Sequence, residues 1–567
     1  MIKEIVLKAL AGMGVEADCS ASLLTVAGVE VEIPKVQTQG DVSTPVALGL
    51  AGVLRKPPRT IAQEIVSAIK AMPQGEMAAF DTIEVAGPGF INFRFKKDYL
   101  YEQLRLLYKQ RELYLRVDVG RGRRVLIEFV SANPTGPLHV GHGRGAALGN
   151  ALSNLLQCAG YVVDREFYIN DAGRQVRLLG HSVFAAYNTL LGTPYPFPEE
   201  GYRGELVEQV AGEIASIDGK RYVGAEFDNC AQHFIDYSYK RMLKEIEEAL
   251  EAFGVRFDNW QSERVLFDSG MVKGGIDRLR NMGYVYDKDG AVWFKSSELG
   301  DEKDRVIIKQ DGQYTYFASD MAYHVMKIGR GYDELINIWG ADHHGYIPRV
   351  KAVLRAEGLQ ELRYGCTSDK RLTVLLVQMV SLLRDGKPVQ MSKRAGEFIT
   401  LRDVIEEIGA DTTKFIFLTR RPDSHLEFDM EAAKRQSSDN PVFYVQYAYA
   451  RINSIFKKHQ TDALSLFIER VDSLDLSCLD TDEELQIIKK LVLYPMTFQS
   501  AVKNREPHRI TFYLQELAAT FHPYYNKHRI LTEDNTLTDA RLLMCACISI
   551  VLKEGLRILG LSAPEWM

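Results

Sequence analysis

The residues best suited to chemistry are two histidines three positions apart, in Pro137-Leu138-His139-Val140-Gly141-His142-Gly143. They stand where an apolar run, Arg124–Val130, gives way to the turn-rich Ser131–Leu138 and then to Leu148, Leu152, Leu155 and Leu156 at helical spacing. That is the pattern of a buried strand feeding a helix. The first amide N–H groups of a helix have no partner within it, so such a start attracts phosphate. Gly141 and Gly143 would let a planar or anionic ligand approach the backbone. Imidazoles three apart share one face of the first turn, and each can donate to a phosphate oxygen as negative charge develops. The bland alternative is a pair of capping histidines.

Three further groups carry chemistry. Asp385–Gly396 is a loop with Gly, Pro and three cations, Lys387, Lys393 and Arg394. Such a loop can close over a pyrophosphate, or be an ordinary basic surface turn. Gly340-Ala341-Asp342-His343-His344-Gly345 follows the apolar Leu335–Trp339. At a strand's carboxyl end, Asp342 can accept from ribose hydroxyls or cap a helix, and Gly340 permits close approach. His343 and His344 lack a third metal ligand nearby, so no metal site is expected. Last, Glu128 is a carboxylate inside an apolar strand. It requires a partner, either a ligand or a neighbour such as Arg124. Asn133 follows it, and Tyr316 and Asp320 share one face if Thr315–His324 is helical.

Positioning these groups requires several domains, since single cores stop growing beyond about 250–300 residues and the chain has 567. The expected architecture is multidomain α/β plus α. Residues 1–110 read as an N-terminal α+β unit with alternation at Leu24–Val31 and a strand through Ile91, Phe93 and Phe95. Residues 111–385 read as a Rossmann-like parallel-sheet domain with an insertion around 175–310. Residues 386–438 hold the cationic loop and a connection. Residues 439–567 read as an all-α bundle, with helical periodicity near Val442–Lys458, Glu483–Ala501, Ile510–Lys527 and Arg541–Leu559. Tyr444, Tyr447 and Tyr449, followed by Arg451, Lys457 and Lys458, could stack and clamp unpaired bases, or simply be core.

Composition narrows the class without naming it. Lys+Arg is 69 and Asp+Glu 75, a net charge of −6 that neither supports nor excludes nucleic acid. Seven scattered cysteines with no C-x-x-C argue against a disulfide framework or zinc. No signal-like N-terminus is evident, and the apolar stretches near Leu372–Leu383 and Leu542–Leu552 fall short of the roughly 20 residues of a bilayer span. The expectation is a soluble, cytoplasmic protein with no membrane partner.

His139-Val140-Gly141-His142 resembles the HIGH signature of class I aminoacyl-tRNA synthetases. The run Ile127–Arg144 is similar to that of bacterial arginyl-tRNA synthetases. Gln390-Met391-Ser392-Lys393-Arg394 resembles the KMSKS loop, with Gln390 where the pattern has its first lysine. The resemblance covers almost the whole chain. Residues 1–110 resemble the tRNA-elbow-binding domain, and Asn440–Ile452 and Gly555–Met567 the anticodon-binding domain. It implies ATP-dependent activation of L-arginine and transfer to tRNA(Arg), with Mg2+, in a monomer without a stable protein partner. It implies catalytic roles for His139, His142 and Lys393. ATP contacts would come from Ser131, Pro137, Gly141, Gly143, Gly340, Asp342, His343, Met391 and Ser392. Arginine would be held by Glu128, Asn133, Tyr316 and Asp320, because a guanidinium is best read by carboxylates. tRNA contacts would come from Tyr444, Tyr447, Arg451 and Met567. Tyr168–Gln175 also looks family-like and takes no assigned chemistry. Rival readings are another class I synthetase, a small nucleotidyltransferase, or a tRNA-binding paralogue without activity.

Overall fold

The structure is a computed structural model and describes residues 1–15, 29–34, 39–361, 372–389, 399–435 and 440–567. At the N-terminal end, helices Ile2–Gly12, Val46–Leu54 and Pro58–Lys70 accompany an antiparallel sheet of Val42–Thr44, Phe90–Phe95 and Phe80–Ala86. Ile91, Phe93 and Phe95 are buried, as their alternation predicts. Most of the alternation expected at Leu24–Val31 lies outside the described residues.

Five parallel strands form the central sheet, in the order Leu372–Val377, Glu334–Gly340, Arg124–Glu128, Val162–Ile169, Asn259–Ser262. The chain enters at the middle strand, builds outward to one edge, then returns to build the other side. This is doubly wound topology. The strand order reverses between Arg124–Glu128 and Glu334–Gly340, and in open α/β sheets ligands bind outside the carboxyl ends at such a point. The middle strand leads to helix Val140–Cys158, which lies against it. Contact is close: a Cβ on Gly149 would fall 2.2 Å from the Phe129 ring.

Two features differ from the sequence reading. The stretch expected as one insertion contains the edge strand Asn259–Ser262, so helices Arg174–Leu190, Glu205–Asp218 and Ala231–Ala252 precede it. A small antiparallel sheet of Val285–Lys288, Ala291–Phe294 and Arg305–Ile308 follows it. And the connection read at 386–438 includes a strand, Leu426–Asp429, parallel to Val380–Arg384.

The C-terminal part is helical, with Pro441–Lys458, Asp482–Asn504, His508–Lys527 and Asn535–Ile558. Asn440 caps the first by accepting from the Val442 and Phe443 N–H groups, with Pro441 at the first helical position. Thr481 and Glu484 form a capping box on the second. Helix Asn535–Ile558 is long and apolar enough to cross a membrane, but 78% of its most apolar window is buried inside the protein.

Candidate active site

Helix Val140–Cys158 begins in an unusual way. His139 is its N-cap, and its Nδ1 accepts the Gly141 N–H at 3.1 Å. The His142 Nδ1 in turn accepts the His139 N–H at 3.3 Å. The two rings stack, with centroids 3.7 Å apart and planes 19° from parallel. With each Nδ1 occupied as an acceptor, each neutral ring carries its proton on Nε2. The His142 and Gly143 N–H groups both donate to the His139 carbonyl. The amides expected to attract phosphate are therefore largely used by the cap, and an imidazole Nε2–H is a donor of the kind suited to that work. Gly143 also differs from expectation. It is buried, and a Cβ there would meet Leu401 Cδ1 at 2.6 Å, so glycine at this position serves packing, not ligand approach.

The chain that follows the cationic loop meets this helix start. Met391, Ser392, Lys393 and Gln390 lie outside the described residues. Just beyond them, Thr400 pairs with His139 in an antiparallel bridge, and Leu401 N–H donates to the Leu138 carbonyl at 2.7 Å. Thr400 and Asp403 form the capping box of helix Leu401–Ile408. Thr400, four residues beyond the loop, is thus tied to the first histidine. Arg144 is 2% exposed and donates to the carbonyls of Gln378 and Arg421, both at 2.9 Å.

The middle strand ends in a tight turn. Ser131 N–H donates to the Phe129 carbonyl at 3.0 Å, and Val130 and Ser131 have φ of 68° and 41°. A β-branched valine in that region is strained, and such strain gathers at functional sites. The turn aims the Ser131 hydroxyl back at Glu128 Oε1, 3.1 Å away, while it accepts Tyr168 N–H. Asn133 is exposed and Pro137 half-buried in the loop that follows.

Glu128 is 6% exposed, and its partner is Lys327, not Arg124. Arg124 lies over the Tyr332 ring and near Asp164. Of Thr315–His324, Tyr316–His324 is helical within Tyr316–Gly329, with the extended Thr315 at its N-cap and Tyr316 exposed at its start. Asp320 is half-buried and accepts the Tyr346 hydroxyl at 2.6 Å. Burial pushes its carboxyl up to about 7, and the charges of Glu263 and Glu128 add to the rise. Glu263 was not singled out from sequence. It opens helix Glu263–Asp268, is 4% exposed, and burial holds its carboxyl above the ordinary range against the pull of Ser319 and Tyr168. Glu263 and Glu128 thus both act on Asp320, and three carboxylates are grouped in an arrangement a cation would neutralise.

Across the switch point, the Glu334–Gly340 strand ends in the short turn Ala341–Tyr346. Asp342 and His343 are exposed, their side chains 3.7 Å apart. Gly340 is the N-cap residue of this turn, and no side chain bonds there. Far from this site, Tyr447, His522 and Tyr525 surround Arg451. Its guanidinium lies 4.5 Å from the Tyr447 ring centroid and 4.6 Å from that of Tyr525. Tyr444 rests on His522 with centroids 4.4 Å apart, Tyr449 is core, and Met567 is exposed.

Residues 103–437 match the family model for the catalytic domain of class I (R) tRNA synthetases. Residues 1–95 match the arginyl tRNA synthetase N-terminal domain, and residues 445–567 the DALR anticodon binding domain. An arginine–tRNA ligase of Citrifermentans bemidjiense is 46% identical over 555 residues, 98% of each chain. That of Caldanaerobacter subterraneus subsp. tengcongensis is 43% identical over all of this chain and 98% of its own. Among solved structures, a Campylobacter jejuni chain described as an arginyl-tRNA synthetase superposes with a TM-score of 0.75 at 34% identity, covering 83% of this chain and all of its own. A Thermus thermophilus arginyl-tRNA synthetase shares the fold, with a TM-score of 0.75 at 22% identity over 100% of this chain and 99% of that one.

Proposed function

The chain belongs to the arginyl-tRNA synthetase family, and from that premise we propose how its residues divide the work of an arginine–tRNA ligase. The reaction joins arginine to tRNA(Arg) with ATP as energy source. In the first step the arginine carboxylate attacks the α-phosphate, giving arginyl-adenylate and pyrophosphate. In the second, the 3′-terminal ribose hydroxyl of tRNA takes the arginyl group and AMP leaves.

Glu128, Asn133, Tyr316 and Asp320 hold the arginine, and Glu263 joins them. The carboxylate cluster supports this, because a guanidinium is the permanent, planar cation that such a cluster suits. His139 and His142 donate from Nε2 to the phosphate as charge develops, and Lys393 neutralises pyrophosphate from the loop that precedes Thr400. Ser131, Pro137, Gly141, Gly340, Asp342, His343, Met391 and Ser392 surround the nucleotide. Imidazoles are the described side-chain donors at the helix start. They suit phosphate oxygens rather than a hard cation, so a magnesium ion fits as a passenger on the phosphates, whose charge it offsets. Tyr444, Tyr447, Arg451 and Met567 contact tRNA. The work is done by a cytoplasmic monomer; the free cysteines Cys158, Cys230, Cys478, Cys545 and Cys547 accord with a reducing compartment.

The observation that carries the arginine reading is the meeting of Glu128, Glu263 and Asp320 at the switch point. ATP–pyrophosphate exchange across all twenty amino acids, with and without tRNA(Arg), tests it. Arginine alone should support exchange. Exchange with a different amino acid, or with none, would overturn the reading.

A further inference from the structure

Lys327 is a fully buried cation of the catalytic domain, 0% exposed on the helix that carries Tyr316 and Asp320. Its ammonium donates to Glu128 Oε2 and, at 3.2 Å, to Asn337 Oδ1, and lies 4.1 Å from the Tyr323 ring centroid. Asn337 stands beside Glu128 in the register of the two strands that flank the switch point. Its Nδ2 donates to His324 Nε2 at 2.8 Å, and His324 Nδ1 donates to the Asp320 carbonyl, also at 2.8 Å. His324 is 3% exposed, and burial beside Lys327 pushes its imidazole down to about 3, so it is the neutral ring that this bonding pattern needs. A continuous buried path therefore runs from Glu128 through Lys327, Asn337 and His324 to the backbone of Asp320.

Burying such a pair costs desolvation that its attraction barely repays, so stability is a poor reason for it. Its effect on the pocket is clearer. Lys327 neutralises Glu128 and leaves Glu263 and Asp320 as the carboxylates without a cation of their own. We propose that Lys327 is a positioning residue that sets substrate polarity: it fixes Glu128 and confines the pocket's uncompensated negative charge to the Asp320–Glu263 end. The guanidinium is then drawn to that end, and Glu128 presents a neutralised, immobile acceptor to the other end of the substrate. The inference rests on the reading of Glu128 and Asp320 as arginine ligands.

The test is steady-state exchange kinetics with Lys327→Met, Glu128→Gln and Asn337→Leu. Lys327→Met should raise the arginine KM about tenfold or more and leave the ATP KM within about twofold. Asp320 is faced by Tyr346, Glu263, Glu128 and Lys327, and Lys327 is the cation among them. Its loss should move the acid fall-off of kcat/KM for arginine to higher pH. A purely structural role would instead lower the melting temperature and raise both KM values together, with the pH profile unmoved, and that result overturns the proposal. If Glu128→Gln raises the arginine KM and Lys327→Met does not, the proposal alone falls. If Glu128→Gln changes nothing, the reading beneath it falls too. Asn337→Leu breaks the path without stranding a charge, and serves if Lys327→Met does not fold. It should raise the arginine KM severalfold with ATP unaffected, and an unchanged arginine KM overturns the proposal.

Discussion

A carboxyl half-buried beside two others keeps its proton to higher pH than an exposed one, and Asp320 is in that position beside Glu263 and Glu128. Its folded value of about 7 lies above the ordinary 3.8, so the folded protein holds that proton more tightly than the unfolded chain does. The resulting stability is fully present below the ordinary value and is lost as pH rises through about 7. Asp320→Asn should therefore make the free protein more stable at pH 8, by on the order of 1–2 kcal/mol, with no gain at acid pH. The same change should raise the arginine KM more than about tenfold. Thermal unfolding at the two pH values, beside exchange kinetics, checks both halves. A variant that is no more stable at pH 8 would show that the carboxyl is not strained. At this scale the sequence was informative where a residue defied its surroundings: Glu128 inside an apolar strand, two histidines at one turn. It was silent on Glu263 and Lys327. An acidic residue in a first helical turn and a basic one in a last turn are what the helix dipole favours on any surface helix, so neither attracts notice. Only tertiary burial separates them from solvated charges.

The elements were legible in proportion to their length. The four long C-terminal helices and the apolar strand Arg124–Glu128 follow from periodicity alone. Asn259–Ser262 does not: four half-buried residues with a single aromatic carry no alternation, and the pairing with Val162–Ile169 is what makes them a strand. Leu426–Asp429 does alternate, with Leu426 and Phe428 buried, but four residues are too short a run to mark a strand. Gly149 shows what helix packing on the sheet demands. A methyl there would enter the ring of Phe129, which is 0% exposed and held against Phe257 at 4.4 Å. Gly149→Ala should cost about 1–3 kcal/mol through overpacking. By lifting the helix that begins at His139, it should also lower kcat for exchange. Denaturant unfolding and kinetics on one preparation would show the two effects together, and a silent substitution would mean that the helix sits less tightly than described.

The parts of the molecule are joined by specific partly buried contacts. Arg505, at the end of helix Asp482–Asn504, pairs with Glu334 at the start of a central strand and lies over the Tyr161 ring. Arg116 pairs with the buried Glu554, and the Tyr101 hydroxyl donates to the Leu479 carbonyl. None of these pairings was readable from sequence, since partners this far apart leave no local pattern. Arg505→Ala would leave Glu334 with only the Thr373 hydroxyl, and should cost about 1–3 kcal/mol. Faster hydrogen exchange in the Glu334–Gly340 strand would confirm the tie, and unchanged exchange would show that it is dispensable. The apolar helix Asn535–Ile558 packs on Lys97–Gln110 and Val140–Cys158, with the Cys547 thiol facing the Leu104 carbonyl across 443 positions of sequence. A ribosome delivers those early helices long before their cover exists. At 5–20 residues per second the wait is on the order of 20–90 s, during which their apolar faces stay open to solvent or to a chaperone. The yield of folded enzyme in a cell should therefore depend on how quickly the last quarter of the message is read.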